Sequence, residues 1–327
     1  MRFVVYGAGA IGGLVGARLA WAGEDVRFIA RGPHGEAVSR QGLLVESAEG
    51  SRVAEVAVAA DPEEARLGPG DLVLLAMKSQ DSAPALAALR RSLSGSVPGG
   101  LPVACLQNGV ENERAALRLF PDVYAVCVMC PAAHLEPGVV QAFSSPVPGL
   151  LDAGRYPWGT DDASASLCEA FRVAGFDSVE RPDVMRWKYC KLLLNLGNAA
   201  EALLGPDDKG LVHELARREG VDCLKAAGID FASAEEDTAR RGDIMQLHPV
   251  GGGPRGGGSS WQSLRRGTGS IESDYLNGEI ALLGRIHGVA TPVNDLLQHL
   301  AHEAARRRVP PASMSATEFM GMLPSPG

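Results

Sequence analysis

A glycine-rich turn with the spacing G-x-G-x-x-G follows the first apolar run, Arg2 to Tyr6, and leads into a helical pattern. In such a turn the first glycine permits a tight bend, the second lets a pyrophosphate approach the backbone, and the third lets the helix pack on the strand. The helix N-terminus adds N–H groups and a positive dipole that favour phosphate. The pattern predicts a dinucleotide site formed by Gly7, Ala8, Gly9, Ala10, Ile11 and Gly12. The alternative is a glycine turn that binds no ligand.

The residue after the second expected strand indicates which dinucleotide binds. That strand, residues 26–30, leads into Arg31-Gly32, where an NAD(H) site would usually place an acidic side chain for the ribose 2′-hydroxyl. A guanidinium suits a 2′-phosphate instead, because its planar fork makes bidentate, charge-assisted contacts. Arg31 therefore favours NADP(H) as the cofactor. The alternative is a solvated arginine in a loop.

Lys78 and Asn108 each follow an apolar run that is typical of a buried strand. Ligands of open α/β sheets bind beyond the carboxyl ends of the strands. We therefore expect Gly7, Lys78 and Asn108 to face one crevice. The alternatives are a surface lysine and an asparagine that caps a helix or makes a turn.

A second group of polar residues lies in the C-terminal half. Lys191 and Asn195 are four residues apart in an otherwise apolar helical pattern, so they share one helix face. A lysine beside an amide in a cleft can donate a proton and hold a polar substrate. Glu272 stands at the start of a later helical pattern, where it could be a site carboxylate or a surface residue that complements the helix dipole. A solvated face is equally compatible with Lys191.

Strand and helix patterns alternate from residue 1 to about 180, which predicts an α/β domain of Rossmann type with a parallel sheet. Expected strands are 2–6, 26–30, 71–76, 101–106 and 123–129, with helices at 10–22, 80–93, 111–119 and 162–174. Residues 133–151 are expected to form a hairpin or meander that extends the sheet edge.

Residues 181–310 show helical periodicity, which predicts an all-α domain. Because Lys191, Asn195 and Glu272 lie in it, it is the candidate domain for substrate binding and catalysis. One long helix is expected over 184–204, with further helices at 208–228, 233–245, 272–287 and 292–305. The glycine-rich residues 249–260 are expected to form a flexible loop, and residues 311–327 a frayed tail.

Bulk properties exclude several classes of function. A net charge of −8 argues against nucleic acid or an anionic membrane surface as the main partner. A transmembrane stretch and a signal peptide are not expected, so we predict a cytoplasmic protein with reduced thiols. Cys127 and Cys130 lie three apart in a strand-like run and would face opposite ways, so no metal site is expected.

The order of these motifs resembles the ketopantoate reductase (2-dehydropantoate 2-reductase) family of the 6-phosphogluconate dehydrogenase-like superfamily. The resemblance covers about residues 1–305. It rests on the glycine turn, Ala30-Arg31-Gly32, Met77-Lys78-Ser79-Gln80, Leu106-Gln107-Asn108-Gly109, Lys191-Leu-Leu-Leu-Asn195, Ser259-Ser260, the segment 271–278 and Gly288-Val-Ala-Thr-Pro292.

The resemblance implies NADPH-dependent reduction of the 2-keto acid ketopantoate to the 2-hydroxy acid pantoate. It implies that Lys191 is the general acid and that Glu272 is a carboxylate of the active-site cleft. It places Asn195 as a substrate contact, Ser260 and Asn108 near the substrate carboxylate and nicotinamide, and Lys78 along the cofactor crevice. The assembly stays open between a monomer and a homodimer.

The chain departs from the family pattern at three places that bear on the substrate. Ala199 stands where the family usually carries a second asparagine, and Leu264 where it tends to carry an aspartate. Asn198 lies about 100° away from Ala199 on a continuous helix, so it is not expected to substitute. Glycines at 251–258 enlarge the adjacent loop. The alternatives are a reductase for another keto or hydroxy acid and an inactive NADP(H)-binding regulator.

Overall fold

A computed structural model describes residues 1–93, 100–251 and 256–324 of the chain. The chain divides into two compact units. Unit 1 comprises Met1–Trp187 and Glu235–Arg255, and unit 2 comprises Lys188–Ala234 and Gly256–Gly327. The fold class is as expected, an α/β unit followed by a helical one.

Unit 1 is built on a seven-stranded sheet with the order β11-β8-β7-β6-β1-β2-β5. Its strands are β1 Arg2–Tyr6, β2 Asp25–Ile29, β5 Ala57–Ala59, β6 Asp71–Leu75, β7 Val103–Cys105, β8 Val123–Met129 and β11 Leu150–Arg155. All pairs are parallel except β8 with β11. The strands β6 and β8 are buried along their whole length, as expected for near-continuous apolar runs at the centre of a parallel sheet.

The helices of unit 1 follow the strands in alternation. They are α1 Ala10–Trp21, α2 Gly32–Gln41, α3 Ser82–Ser92, α4 Asn112–Leu117 and α5 Asp162–Val173, with a short 3₁₀ helix at Ser79–Asp81. The apolar core lies on both sides of the sheet, around Phe3, Leu14 and Phe171 on one side and Ile29, Leu75 and Leu86 on the other. The main strands and helices expected from the sequence are confirmed within a few residues at each end.

A second sheet in unit 1 differs from the expectation. It has the order β4-β3-β10-β9, formed by β3 Leu43–Ser47, β4 Gly50–Ala54, β9 Ala132–Ala133 and β10 Val139–Ala142. The 133–151 segment was expected to extend the main sheet, but only β11, at its end, does so. Its earlier part pairs with β3 instead. Four of the five residues of β4 are exposed, so it lacks the apolar alternation that would have revealed it.

Residues 235–251 return to unit 1, which moves the unit boundary from the predicted one. Arg240 donates to both carboxylate oxygens of Asp152, at 2.8 and 2.5 Å, and to Asp177. Asp152 is only 4% exposed, so it requires a charged partner. The first unit runs to Trp187, beyond the predicted boundary at residue 180. Residues 235–251, which were expected in the helical domain, belong to the first unit as well.

Unit 2 contains helices only among its described residues. They are α7 Gly197–Leu204, α8 Gly210–Ala226, α10 Ser259–Arg266, α11 Asn277–His287, α12 Pro292–Arg307 and α13 Ala316–Gly321, with a 3₁₀ helix at Glu272–Tyr275. Helix α6, Val184–Asn195, crosses the unit boundary, and α9, Ala234–Arg241, leads back to unit 1. The single helix expected over 184–204 is divided at Leu196 into α6 and α7.

The C-terminal segment differs from the frayed tail expected at 311–327. Residues Ala316–Gly321 form a helix with a capping box between Ser315 and Glu318, and Phe319 is fully buried. Backbone hydrogen bonds from Ala312 to Ala202 and from Met314 to Leu203 join the segment to α7. Burial of an aromatic ring provides the free energy that orders it. The last residues, 325–327, lie outside the described residues.

The loop expected at 249–260 is described only in part, because residues 252–255 lie outside the described ranges. Helix α10 begins at Ser259, earlier than the loop was expected to end. Among the described helices, none is long and apolar enough to cross a membrane.

Candidate active site

The three glycines of the turn have different surroundings. Gly7 has φ +102°, and a Cβ there would lie 2.7 Å from the backbone nitrogen of Met77. A Cβ on Gly12 would lie 2.0 Å from the carbonyl oxygen of Gly7. A Cβ on Gly9 would meet no atom within 4 Å. Gly7 and Gly12 are therefore required by the fold, whereas Gly9 leaves open space at the N-cap of α1, where the helix dipole favours phosphate.

His34 holds this turn from the adjacent helix, a contact that sequence reasoning missed. The N–H of Gly138 donates to Nδ1 of His34 at 2.9 Å, which leaves Nε2 to carry the proton and donate to the carbonyl oxygen of Ala8 at 2.7 Å. Burial lowers the pKa of His34, so the ring is held neutral. The ring of His134 lies 4.1 Å away between centroids. A lone histidine shortly after the Ala30-Arg31-Gly32 motif gave no signal of this role.

Arg31 lies at the N-cap of α2, beside a cavity of about 370 Å³. The cavity is also lined by a second arginine, Arg40, by two carboxylates, Glu36 and Glu64, and by small residues such as Ala30. Both guanidinium groups are exposed, and within the described ranges neither makes an ion pair or hydrogen bond. Two unpaired cations beside one cavity can hold a phosphate. Arg40 was missed because it is nine residues beyond the motif.

Lys78 and Asn108 lie where they were expected, beyond the ends of β6 and β7. The carboxyl ends of β1, β6 and β7 lie at one edge of the sheet, because these strands are parallel neighbours. Both residues are half-buried. The turn glycines, Lys78 and Asn108 therefore lie along the same edge of unit 1.

A buried hydrogen-bond network fixes the two loops that carry Lys78 and Asn108. Each member is an uncharged polar side chain, so the network orders the backbone without adding charge. Gln107 donates to Ser82 Oγ at 2.7 Å and to the Met77 carbonyl at 3.0 Å. Ser82 in turn donates to Asn112 at 2.7 Å. Asn112 donates to Ser79 Oγ at 2.9 Å and to the Asn108 carbonyl at 3.2 Å.

In unit 2, Lys191 and Asn195 are brought together as their spacing indicates. Nζ of Lys191 donates to Oδ1 of Asn195 at 3.2 Å. Asn195 is 4% exposed, and its Nδ2 has no hydrogen-bond partner among the described residues. A buried amide N–H without a partner carries an energetic cost unless a ligand satisfies it. The pair therefore offers an oriented ammonium group and an amide donor side by side.

Asn198 follows the single residue, Leu196, that separates α6 from α7 and that itself keeps helical dihedral angles (φ −59°, ψ −25°). Asn198 belongs to α7 and approaches the start of α10, where a Cβ on Gly258 would lie 3.6 Å from its Oδ1. Glu201 joins the same two helices by accepting the Gly258 N–H at 2.9 Å, and Lys209 donates to its other oxygen at 2.8 Å. Asn198 and Ala199 are consecutive residues of α7, so they lie about 100° apart around one helix, as expected.

Ser260 and Glu272 are both buried, at 1% and 4% exposure. Ser260 lies in the first turn of α10, two residues after Gly258, in a helix that packs on α7. Glu272 is the first residue of its 3₁₀ helix, and Ile271 is the N-cap. Ala199 and Leu264 are likewise buried. Among the described residues, no group of three or more histidine, cysteine or acidic side chains could hold a metal ion.

Comparison with known proteins gives one family for both units. The family model described as ketopantoate reductase PanE/ApbA matches residues 3–155, and the model of its C-terminal part matches residues 183–305. A 2-dehydropantoate 2-reductase of Halobacterium salinarum is 31% identical, over 94% of this chain and 99% of the relative. The enzyme of the same name from Pyrococcus horikoshii is 28% identical, over 91% and 95%.

Solved structures show the same fold. A PanE/ApbA family ketopantoate reductase from Ralstonia eutropha matches with a TM-score of 0.77 and 28% identity, over 94% of this chain and 99% of that one. A D-mandelate dehydrogenase in ternary complex with NADH and anilino(oxo)acetate matches with a TM-score of 0.78 and 21% identity, over the same shares. At that identity the second match shows the fold alone.

Proposed function

The chain belongs to the ketopantoate reductase family of oxidoreductases, whose Rossmann-type unit takes a nicotinamide cofactor, and we propose that it reduces a 2-keto acid to a 2-hydroxy acid with NADPH. The observation that carries the proposal is the hydrogen bond from Lys191 to the buried Asn195. It holds an ammonium group in one place, which a proton donor requires and a cofactor-binding regulator does not.

The reaction assigns separate tasks to the residues of this chain. The reduced nicotinamide, when bound, supplies the hydride that reaches the keto carbon. Lys191 donates a proton to the keto oxygen as negative charge develops on it, and the lysine is then reprotonated from solvent. Asn195 keeps the ammonium group in place and offers its Nδ2 hydrogen to the substrate. Glu272, a buried carboxylate, fixes the substrate and the lysine.

The residues of unit 1 suit a nicotinamide dinucleotide that carries a 2′-phosphate. The open space at Gly9 admits the pyrophosphate at the N-terminus of α1. Arg31 and Arg40 supply positive charge beside one cavity, and Lys78 and Asn108 line the nicotinamide end. NADP(H) is therefore the cofactor that we propose over NAD(H).

The substrate that we propose is ketopantoate (2-dehydropantoate), after which the relatives are named. Asn198, rather than an amide at 199, faces the helix that carries Ser260. The pair is placed to bind the carboxylate or hydroxyl of the substrate. A bulkier or more apolar 2-keto acid is the second candidate, favoured by the buried apolar Ala199 and Leu264.

The direct test is loss of reduced-nicotinamide absorbance when purified enzyme and NADPH are mixed with each member of a panel of 2-keto acids. The proposal expects turnover with ketopantoate or a close analogue. Tight NADPH binding without turnover of any keto acid would contradict it and would favour the regulatory alternative.

A further inference from the structure

The junction between α6 and α7 is fixed by a buried side chain from a distant part of the chain. Nδ2 of Asn277, at the start of α11, donates to the carbonyl oxygen of Leu196 at 3.1 Å. The same amide nitrogen donates to Oδ1 of Asn294 in α12 at 2.9 Å. Both asparagines are completely buried. The contact therefore ties α11 and α12 to the residue at which α6 gives way to α7.

Asn294 is itself held rigidly. Its Nδ2 donates to the Ala216 carbonyl at 3.0 Å and to Glu219 Oε2 at 2.7 Å. Glu219 also accepts the backbone N–H groups of Val293 and Asn294, at 2.9 and 3.0 Å, at the start of α12. A series of hydrogen bonds thus runs from the carboxylate on α8 through two amides to the Leu196 carbonyl. Each donor in it has a definite acceptor, so the series has one geometry.

The imidazole ring of His213 also packs against the junction, at Gly197. A Cβ on Gly197 would lie 2.8 Å from the imidazole of His213 in α8, so only glycine allows this approach. His213 also makes a hydrogen bond to the backbone of Leu193, within the last turn of α6. The backbone on both sides of Leu196 is therefore held by groups outside α6 and α7.

We propose that Asn277 is a positioning residue for catalysis, which acts by fixing the α6–α7 junction and hence the direction of Lys191 and Asn195 relative to Asn198. This rests on the proposed role of Lys191 as the proton donor. Lys191 and Asn195 occupy the last turn and a half of α6, whereas Asn198 lies in α7 immediately past the junction. A small change of angle at Leu196 would move these two groups apart, and a misplacement of about 1 Å can cost about 10²-fold in rate.

The test compares Asn277→Leu, which keeps the branched shape of the side chain but removes its donor, with Thr291→Val. Thr291 is a matched control because it is also buried in unit 2 and its hydroxyl donates to Asp295 at 2.9 Å, away from the junction. We expect Asn277→Leu to lower kcat by about 10²-fold and to increase the solvent isotope effect on kcat. The dissociation constant for NADPH should be unchanged. Thr291→Val should lose thermal stability without either kinetic change.

Equal kcat values and isotope effects in the two variants would overturn the proposal, since Asn277 would then be only structural. If Asn277→Leu does not fold, the Asn277→Asp variant tests the positioning role instead. Its carboxylate repels the Leu196 carbonyl, and protonation restores one donor, so its kcat should recover relative to wild type as the pH falls. A pH profile parallel to that of wild type would contradict the proposal. Lys191→Met, assayed alongside, separates the role of Lys191 from that of Asn277. A fully active Lys191→Met variant would contradict the role of Lys191 as proton donor, whatever the result for Asn277.

Discussion

Nε2 of His34 donates to the carbonyl oxygen of Ala8 at 2.7 Å, so a side chain of α2 fixes the backbone of the glycine turn. The other ring nitrogen accepts from Gly138, which immediately precedes β10 of the second sheet. The turn, α2 and the small sheet are thereby joined through one neutral ring. We therefore expect the conformation of the turn to be coupled to the protonation of His34.

This coupling predicts a pH dependence of stability. Because burial lowers the pKa of His34 below the ordinary value of 6.5, the unfolded chain binds the proton more readily than the folded one. His34 therefore contributes its full stability above pH 6.5 and loses it as the pH falls through that value towards the lower folded pKa. Thermal melts of wild type and His34→Gln across this range should converge at low pH. A constant difference between them would show that His34 does not titrate in this way.

The glycine turn predicts opposite outcomes for two alanine substitutions. Gly12→Ala places a methyl group on the Gly7 carbonyl and should cost about 1–3 kcal/mol of folding free energy. Gly9→Ala meets open space, so it should fold normally but bind the cofactor poorly. Chemical denaturation and NADPH titration of both variants separate the effects. Unimpaired NADPH binding by Gly9→Ala would show that the pyrophosphate does not bind against Gly9.

The two arginines beside the cavity predict the cofactor preference. Arg31→Ala should weaken NADPH binding by about 1.5–3 kcal/mol, the usual value of a charge-assisted hydrogen bond, and should affect NADH far less. Arg40→Ala should act in the same direction. Fluorescence titration with both cofactors measures the ratio. Equal losses for NADPH and NADH would show that neither guanidinium contacts a 2′-phosphate.

We expect Asn198 to supply a hydrogen bond to the substrate that the alanine at 199 cannot make. Asn198→Ala should raise the KM for the keto acid and lower kcat/KM by at least about tenfold, since a buried donor or acceptor on the substrate would lose its partner. Ser260→Ala should behave similarly. Steady-state kinetics with ketopantoate and a bulkier 2-keto acid check this. If both variants keep wild-type kcat/KM for ketopantoate, the substrate is bound elsewhere.

The sequence predicted the positions of those candidate residues that follow directly from local pattern. The glycine turn, Lys78 and Asn108 were placed correctly because each follows an apolar strand. The division of the helix at Leu196 could not be seen, because the apolar periodicity continues through it from Val184 to Leu204. The side chains that contact this point, Asn277 and His213, come from other helices. His34 and Arg40 were missed for the same reason, since their roles arise from neighbours that only the fold supplies.

The central claim is that Lys191 protonates a 2-keto acid during reduction by NADPH. It is tested most directly by single-turnover measurement of NADPH oxidation with ketopantoate in wild type and Lys191→Met. The account predicts a rate about 10²–10⁴-fold lower in the variant, the usual contribution of a positioned acid, with NADPH affinity unchanged. A wild-type rate in a folded Lys191→Met protein would contradict it.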